Sequence, residues 1–189
     1  MPEPFQIAVL VGSLRKASLS RRVAKALIKL SPGGAAYQIV EIGALPLYNQ
    51  DLDDEGAAPT AWVAFRQAIA KVDGALFVTP EHNRSAPAAL KNALDVGSRP
   101  YGKSVWNGKP AGVVSVSPGA LGGFGANHHL RQSLTFLNMP TMQQPEAYVG
   151  GAANLIADDF TVTVETSRDF LAGFVKAFEA WAHKFAAKA

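Results

Sequence analysis

The chain has 189 residues, 48% hydrophobic and 17% charged, a balance typical of one folded α/β domain and not of a disordered segment. It contains no cysteine, which excludes disulfides, thiolate metal sites and thiol redox chemistry. Eighteen basic against fifteen acidic side chains make it mildly basic, so we expect affinity for phosphorylated small molecules and none for nucleic acid.

Three apolar runs rich in branched residues each stop at turn-forming residues: Ile7–Val11, Ala75–Val78 and Val113–Val116. None alternates with polar residues, as expected of strands buried on both faces of a parallel sheet. Two further strands are predicted at Tyr37–Ile42 and around Thr141–Gln143, the latter just after a proline.

Helical patterns lie between the strands, and Ser18 or Ser20 can cap the first of them. The last helix has aromatic residues every three or four positions, which predicts a core face. An irregular excursion is expected at residues 150–166. Five strands alternating with five helices predict a three-layer α/β sandwich in a single domain, residues 1–189. The apolar stripes are Val23/Leu27/Leu30, Trp62/Phe65/Ile69, Leu90/Ala93/Leu94, Leu130/Leu134/Leu137 and Phe170/Phe174/Phe178/Trp181/Phe185.

Open parallel sheets bind ligands outside the carboxyl ends of their strands, so the three strand-to-helix junctions are the predicted site. The first junction places the hydroxyls of Ser13, Ser18 and Ser20 with Arg15 at a helix start. Hydroxyls, backbone amides and a guanidinium together suit a dianionic phosphate. The dinucleotide fingerprint G-x-G-x-x-G is absent, which favours a monophosphate over a pyrophosphate.

The second and third junctions differ in character from the first. Residues 79–87 contain two prolines, so this stiff loop can present backbone amides to the edge of a flat heterocycle. Residues 115–123 contain three glycines, which allow a ligand to approach the backbone closely.

The three junctions read G-S-L-R-x-x-S, P-E-x-N-x-S-x-P-x-x-L-K-N-x-x-D and S-x-G-x-x-G-G in chain order. This order resembles the NADPH-dependent FMN reductase family over nearly the whole chain, and within it the quinone and chromate reductase branch. The resemblance implies a flavodoxin-like fold with a five-stranded parallel sheet of order 2-1-3-4-5. It also implies bound FMN, NADPH or NADH as co-substrate, and a homodimer or homotetramer.

The resemblance further implies which residues hold FMN. The phosphate is expected at the first junction, on Ser13, Arg15, Ser18, Leu19 and Ser20. The ring is expected against two segments, which contribute Pro80, Glu81, His82, Asn83, Arg84, Ser85, Val116, Ser117 and Gly119. The chain departs from the family pattern at three positions, where His82 replaces a usual Tyr, Ser20 an Asn and Val96 a Trp.

The expected activity is NAD(P)H-dependent reduction of quinones, flavins, azo compounds or metal oxyanions such as chromate through bound FMN. Because FMN supplies the reaction chemistry, no catalytic side chain is named. The alternative is a flavodoxin-type electron carrier without direct reaction with NAD(P)H, although a net charge of +3 disfavours it. A partner-binding domain that merely kept the fold is a third possibility.

Two further patterns are interpreted as accidental. Residues 97–104 match the P-loop expression G-x-x-x-x-G-K-[ST], but a helix precedes them where that mechanism needs a strand. The adjacent His128 and His129 cannot share a helical face, and no metal site is expected.

Location and assembly are also predicted. No apolar run approaches the ~20 residues of a membrane span, and residues 1–4 carry no basic signal, so a cytoplasmic protein without membrane contact is expected. Residues 45–52 hold three leucines and Tyr48 in a loop-like segment. They pack either on their own core or on a second subunit; the family resemblance favours an interface, with Tyr48–Leu52 near the partner's flavin.

Overall fold

The computed structural model describes residues 5–186, and its centre is one five-stranded parallel sheet. The strand order is β2-β1-β3-β4-β5, as predicted. The central strands β1, β3 and β4 are almost entirely buried, which explains why apolar residues dominate their sequences. The bounds are β1 Phe5–Val11, β2 Ala35–Ile39, β3 Gly74–Pro80, β4 Ala111–Val116 and β5 Ala147–Val149.

Six α-helices cover the two faces of the sheet in the described residues, together with one short 3-10 turn at Ala152–Asn154. The alternation of side chains along β1 separates two cores. Ile7 and Val9 pack with α1 and α6, whereas Ala8 and Leu10 pack with α3, α4 and α5. The three layers are therefore those predicted. The bounds are α1 Leu19–Lys29, α2 Gln50–Asp54, α3 Thr60–Ala70, α4 Ala88–Gly97, α5 Phe124–Phe136 and α6 Glu165–Ala186.

Strand boundaries are where the sequence-based assignment is wrong. The fifth strand is β5, six residues beyond the predicted Thr141–Gln143, and Thr141 forms only an isolated bridge with Ala111. Pro140 and Pro145 flank that segment, and proline cannot donate to a strand ladder, so pairing does not extend there. The second strand begins at Ala35 and ends at Ile39, earlier than the predicted Tyr37–Ile42.

The aromatic stripe of α6 is only partly a core face. Phe174 and Phe178 are fully buried, but Phe170 remains 45% exposed in the first turns of the helix. The Trp181 indole is anchored by donating to the Pro140 carbonyl at 2.8 Å.

The five-residue helix α2 was not predicted. Residues 150–164 form the expected irregular excursion, with one 3-10 turn and an isolated bridge between Ile156 and Val162.

Residues 45–52 fold back mainly on their own core. Tyr48 packs on Trp62 with ring centroids 5.2 Å apart, and its amide donates to Asn92 Oδ1 at 2.8 Å. Leu45 and Leu52 contact the same core, while Leu47 stays 78% exposed. Most of this apolar surface is therefore already covered within the chain.

Among residues 5–186, no helix has both the length and the apolarity needed to cross a membrane.

Candidate functional site

The carboxyl ends of β1, β3 and β4 bring the three predicted loops to one edge of the sheet. The Gly12 amide, just after β1, donates to the Val78 carbonyl of β3 at 2.9 Å. A Cβ at Gly12 would lie 3.1 Å from Pro80 Cδ, so glycine permits the close approach of the first two loops. The Ser117 amide of the third loop donates to Val149 of β5 at 2.9 Å.

The first loop presents hydrogen-bond donors that the protein itself leaves unused. Ser18 is the N-cap of α1, and its Oγ accepts the Arg21 amide at 3.0 Å, which leaves the hydroxyl proton free to donate. Ser13 and Ser20 are also buried, yet within residues 5–186 their hydroxyls have no hydrogen-bond partner. Leu19 and Ser20 occupy the first two positions of α1, where amides have no intrahelical acceptor.

Arg15 adds a positive charge to this set. It is exposed and forms no ion pair with any described residue. Serine hydroxyls, free amides and an unpaired guanidinium at the positive end of a helix are the donors that a phosphate dianion requires. The chemistry of the donors within residues 13–20 therefore fits a phosphate, and its binding there stays a prediction.

The second loop is a tight turn between His82 and Ser85. The two residues exchange backbone hydrogen bonds of 3.0 and 2.9 Å, and both central residues have positive φ, 50° at Asn83 and 65° at Arg84. Two consecutive positive φ values are typical of a type I′ turn, which usually needs glycine or asparagine. The Asn83 and Arg84 amides make no hydrogen bond within the described chain. Both amides are therefore available to a ligand, and their binding to the edge of a ring stays a prediction.

The Glu81 side chain, in contrast, is engaged inside the protein. Its carboxylate accepts Arg84 Nη1 at 3.0 Å and the Ala126 amide at 3.0 Å, in the first turn of α5. A carboxylate is favourable at a helix N-terminus. Glu81 was predicted as a cofactor contact. In the structure its side chain fixes the second loop to α5, so only its backbone is left for a ligand.

The third loop combines a buried start with an open tip. Val116 is the last residue of β4 and its side chain is in the core, whereas Gly119 is exposed. Ser117 Oγ accepts the Gly119 amide at 3.0 Å, which shapes the tip. Gly122 has φ 59°, and a Cβ there would lie 2.6 Å from the Tyr148 carbonyl carbon, so the loop requires glycine at that position.

An aromatic cluster beside the third loop was missed by the sequence-based prediction. Phe124 lies 4.3 Å from His128 and 5.3 Å from Tyr148 between ring centroids, and His128 Nε2 is 2.9 Å from the Tyr148 hydroxyl. Burial and a hydrogen bond to Glu146 raise the pKa of Tyr148 to about 12, so it stays protonated at neutral pH. The one feature of the sequence that pointed to this aromatic cluster is the position of Phe124 directly after the third motif.

The structure shows what surrounds the two patterns interpreted as accidental. Gly97 is the last residue of α4, and residues 98–104 continue into turns without forming a strand-to-helix phosphate loop. Over residues 5–186, no three His, Asp or Glu side chains are grouped so that they could hold a metal ion.

Polar loops at the carboxyl edge of a 2-1-3-4-5 parallel sheet, with a phosphate-type cradle at the first helix, define a flavodoxin-like nucleotide-binding protein. Comparison with known families is more specific: residues 5–154 match the model of NADPH-dependent FMN reductases. The chain belongs to the NADPH-dependent FMN reductase family. It is therefore an oxidoreductase, and FMN and NAD(P)H are the cofactors of this family.

Curated relatives and solved structures agree with this assignment. A quinone reductase of Pseudomonas putida is 60% identical over 181 residues, which cover 96% of each chain. A 2-hydroxy-1,4-benzoquinone reductase of Burkholderia sp is 44% identical over 94% of this chain and 96% of its own. The flavoenzyme FerB of Paracoccus denitrificans, an NAD(P)H:(acceptor) oxidoreductase, superposes with a TM-score of 0.91 at 42% identity, covering 96% of this chain and 98% of its own.

Proposed function

We propose that the protein is a quinone reductase that holds FMN at the three loops and uses NAD(P)H as the electron donor. The main support is a set of available hydrogen-bond donors at the start of α1. These are the hydroxyls of Ser13, Ser18 and Ser20, beside Arg15, which has no ion pair in the described chain. Bound FMN supplies the redox chemistry, since it can accept two electrons from nicotinamide and release them to an acceptor.

The first loop is proposed to hold the phosphate. Ser13 and Ser20 donate hydroxyl protons, Ser18 donates while it caps α1, and the Leu19 and Ser20 amides complete the cradle. Arg15 neutralises the charge. Each charge-assisted hydrogen bond of this kind contributes about 1.5–3 kcal/mol.

The second and third loops are proposed to hold the flavin ring. The free Asn83 and Arg84 amides bind its polar edge, and exposed Gly119 leaves room for a flat ring near the end of β4. The backbones of Pro80, Glu81, Val116 and Ser117 are proposed to line the ring at the same edge of the sheet. The side chains of His82 and Ser85 line the adjoining cleft between α4 and α5. Donor and acceptor use one open face in turn. Water at this open face supplies the proton that a quinone takes up with the hydride, so no side chain is proposed to transfer it.

Quinones are the proposed acceptors, supported by the activities named for the P. putida and Burkholderia relatives. The exposed Phe124 ring offers a planar aromatic acceptor a surface on which to stack. Flavins, azo compounds and chromate are proposed as further acceptors.

A cytoplasmic homodimer or homotetramer, with each chain a single domain, is proposed as the working form. Support from residues 45–52 is reduced, because Leu47 is the one large apolar side chain of that segment that remains largely exposed. Tyr101 and Phe136 support assembly better. Both are exposed and line one cleft of about 420 Å³ between the end of α5 and the loop after α4, and such apolar surface is typical of interfaces. Light scattering tests this: a monomer with full FMN content and turnover would contradict it.

The function is tested by the absorption spectrum of the purified protein and an anaerobic titration. We expect flavin absorption bands that bleach with NADPH alone and return when benzoquinone is added. Yellow protein that NADPH does not bleach would indicate an electron carrier. Colourless protein that does not take up added FMN would indicate a partner-binding domain.

A further inference from the structure

A second basic cleft lies on the outer side of α1, next to the first loop. It has a volume of about 310 Å³, and Lys16, Arg21, Arg22 and Lys25 line one side of it. Asp158 and Phe160, from the excursion before α6, line the other side. Lys16 and Ser18 belong to the loop with the unused phosphate donors, whereas Arg15, Ser13 and Ser20 do not line this cleft. The cleft therefore adjoins the FMN phosphate cradle and shares Ser18 with it, while its four cations lie outside the cradle.

Two of the four cations in the cleft are already neutralised. Arg21 makes a double contact with Glu41 at 2.7 and 2.6 Å, and Arg22 binds Asp158 at 3.2 Å and the Ile156 carbonyl. Lys16 and Lys25 form no ion pair with any residue of the described chain. The cleft thus keeps two positive charges available for an anion.

The aromatic side of the cleft is held in a fixed position. Phe160 lies in a turn and has a positive φ of 67°. Two backbone hydrogen bonds fix this turn: the Phe160 amide donates to the Ala157 carbonyl at 3.0 Å, and the Ala157 amide donates to the Thr161 carbonyl at 2.8 Å. Lys29 of α1 connects this turn to the helix, because its Nζ donates to Thr161 Oγ1 at 2.7 Å. Lys25 Nζ lies over the Phe160 ring, 4.5 Å from its centroid, so this ammonium group has an aromatic contact but no counter-charge among the described residues.

We propose that this cleft binds the adenosine 2′-phosphate end of NADPH and gives the enzyme a preference for NADPH over NADH. The inference rests on the proposed NAD(P)H-dependent function. NADPH differs from NADH by one phosphate monoester, which is a dianion at neutral pH. Lys16 and Lys25 bind that phosphate, and the adenine lies in the cleft beside the stacked Lys25 and Phe160 side chains. The shared loop keeps a dinucleotide bound here beside the flavin site.

Direct binding to the FMN-loaded protein tests the cleft without turnover. In titration calorimetry we expect 2′,5′-ADP to bind about tenfold tighter than 5′-AMP, because only the former carries the 2′-phosphate. Lys25→Met keeps an apolar stem over Phe160 and removes the charge, so it should reduce that difference to about threefold or less. Equal affinity of the wild type for the two nucleotides would overturn the proposal.

Steady-state kinetics add a second readout. The ratio of kcat/KM for NADPH to that for NADH should fall about fivefold or more in Lys25→Met and in Lys16→Met, mainly through KM for NADPH. Lys176→Met is the matched control, since Lys176 is an exposed lysine of α6 outside the cleft, without an ion pair among residues 5–186. An equal fall in the control, or loss of FMN from Lys25→Met, contradicts the assignment.

The two proposals fail in different ways. If NADPH does not bleach the flavin but 2′,5′-ADP binding depends on Lys25, the proposed function is wrong and the cleft assignment stands. If NADPH bleaches the flavin but the two nucleotides bind equally, the cleft assignment is wrong and the function stands.

Discussion

The Ser85 hydroxyl lies 2.6 Å from Nδ1 of His129 and thereby joins the second loop to the middle of α5. Glu81 makes a second connection to the same helix through the Ala126 amide at 3.0 Å. The turn between these two residues contains the positive φ values of Asn83 and Arg84. Helix α5 therefore stabilises the strained turn, in which the amides of Asn83 and Arg84 stay available to a ligand.

A double-mutant cycle on Ser85 and His129 tests this connection. Ser85→Ala and His129→Ala should each weaken FMN binding about two- to tenfold, since a hydrogen bond of this kind contributes about 0.5–1.5 kcal/mol. The double variant should lose no more than either single variant, because both remove the same contact. Fluorescence quenching of FMN measures the dissociation constants. Gln132→Ala, on an exposed α5 residue, is the control, and fully additive losses would contradict a direct coupling.

Arg15 should matter for the phosphate of the flavin and not for its ring. Arg15→Ala removes a charge-assisted contact of about 1.5–3 kcal/mol, so FMN affinity should fall about tenfold or more. Riboflavin has no phosphate, so it should bind the wild type poorly and respond little to the change. Lys103→Ala, at an exposed lysine of the accidental P-loop match, is the control and should leave both ligands unaffected. Equal losses of FMN and riboflavin in Arg15→Ala would rule out the phosphate contact.

The strands and loops that carry the site could be predicted because their signals are local. β1, β3 and β4 are buried on both faces, so apolar residues dominate their sequences, and the loops after them are rich in serine, proline and glycine. β5 has only three residues, Ala147–Val149, so its position depends on pairing with β4 and not on its own composition.

Side-chain tasks that depend on distant partners could not be predicted. Glu81 contacts an amide 45 residues later in the chain, and its role follows from where α5 begins. Tyr48 is covered because Trp62 and Asn92 meet it from α3 and α4, which no local pattern encodes. The contact between Phe124 and Tyr148 likewise depends on β5 lying beside the start of α5.

Two helical glycines should respond to alanine with opposite signs. A Cβ at Gly97 would lie 2.4 Å from Nε1 of Trp106, which is fully buried and donates to the Leu94 carbonyl at 3.0 Å. Because Trp106 cannot retreat without losing that bond, Gly97→Ala should lower the free energy of unfolding by about 2–3 kcal/mol. Gly173 in α6 is exposed, and a Cβ there would meet no atom from outside the helix within 4 Å, so Gly173→Ala should raise it by about 0.5–1 kcal/mol. Urea unfolding followed by circular dichroism measures both, and two changes of the same sign would contradict the packing argument.

The ion pair between Asp53 and Arg66 should make stability depend on pH in the acid range. Its two bonds measure 2.7 and 2.8 Å, and the side chains are only 4% and 13% exposed, respectively. Arg66 also donates to the Val96 carbonyl at 2.8 Å, so the pair connects α2, α3 and α4. The hydrogen bonds from Arg66 lower the pKa of Asp53 in the folded protein. A lowered carboxyl pKa stabilises the fold above the unfolded value of about 3.9, and this stabilisation is lost as pH falls through the folded pKa.

Asp53→Asn should therefore lower the free energy of unfolding by about 2–3 kcal/mol at pH 7, because it leaves a mostly buried guanidinium without its counter-charge. The gap between the variant and the wild type should shrink below about pH 4, where Asp53 is protonated first in the unfolded state and, in the folded protein, only as pH falls through its lowered pKa. Glu41→Gln is the matched control: Glu41 pairs with Arg21 at the surface and is 64% exposed, so its loss should cost under about 1 kcal/mol. Urea unfolding at intervals between pH 2 and pH 7 measures the gap, and a gap that stays constant over this range would show that the charge of Asp53 is not what stabilises the contact.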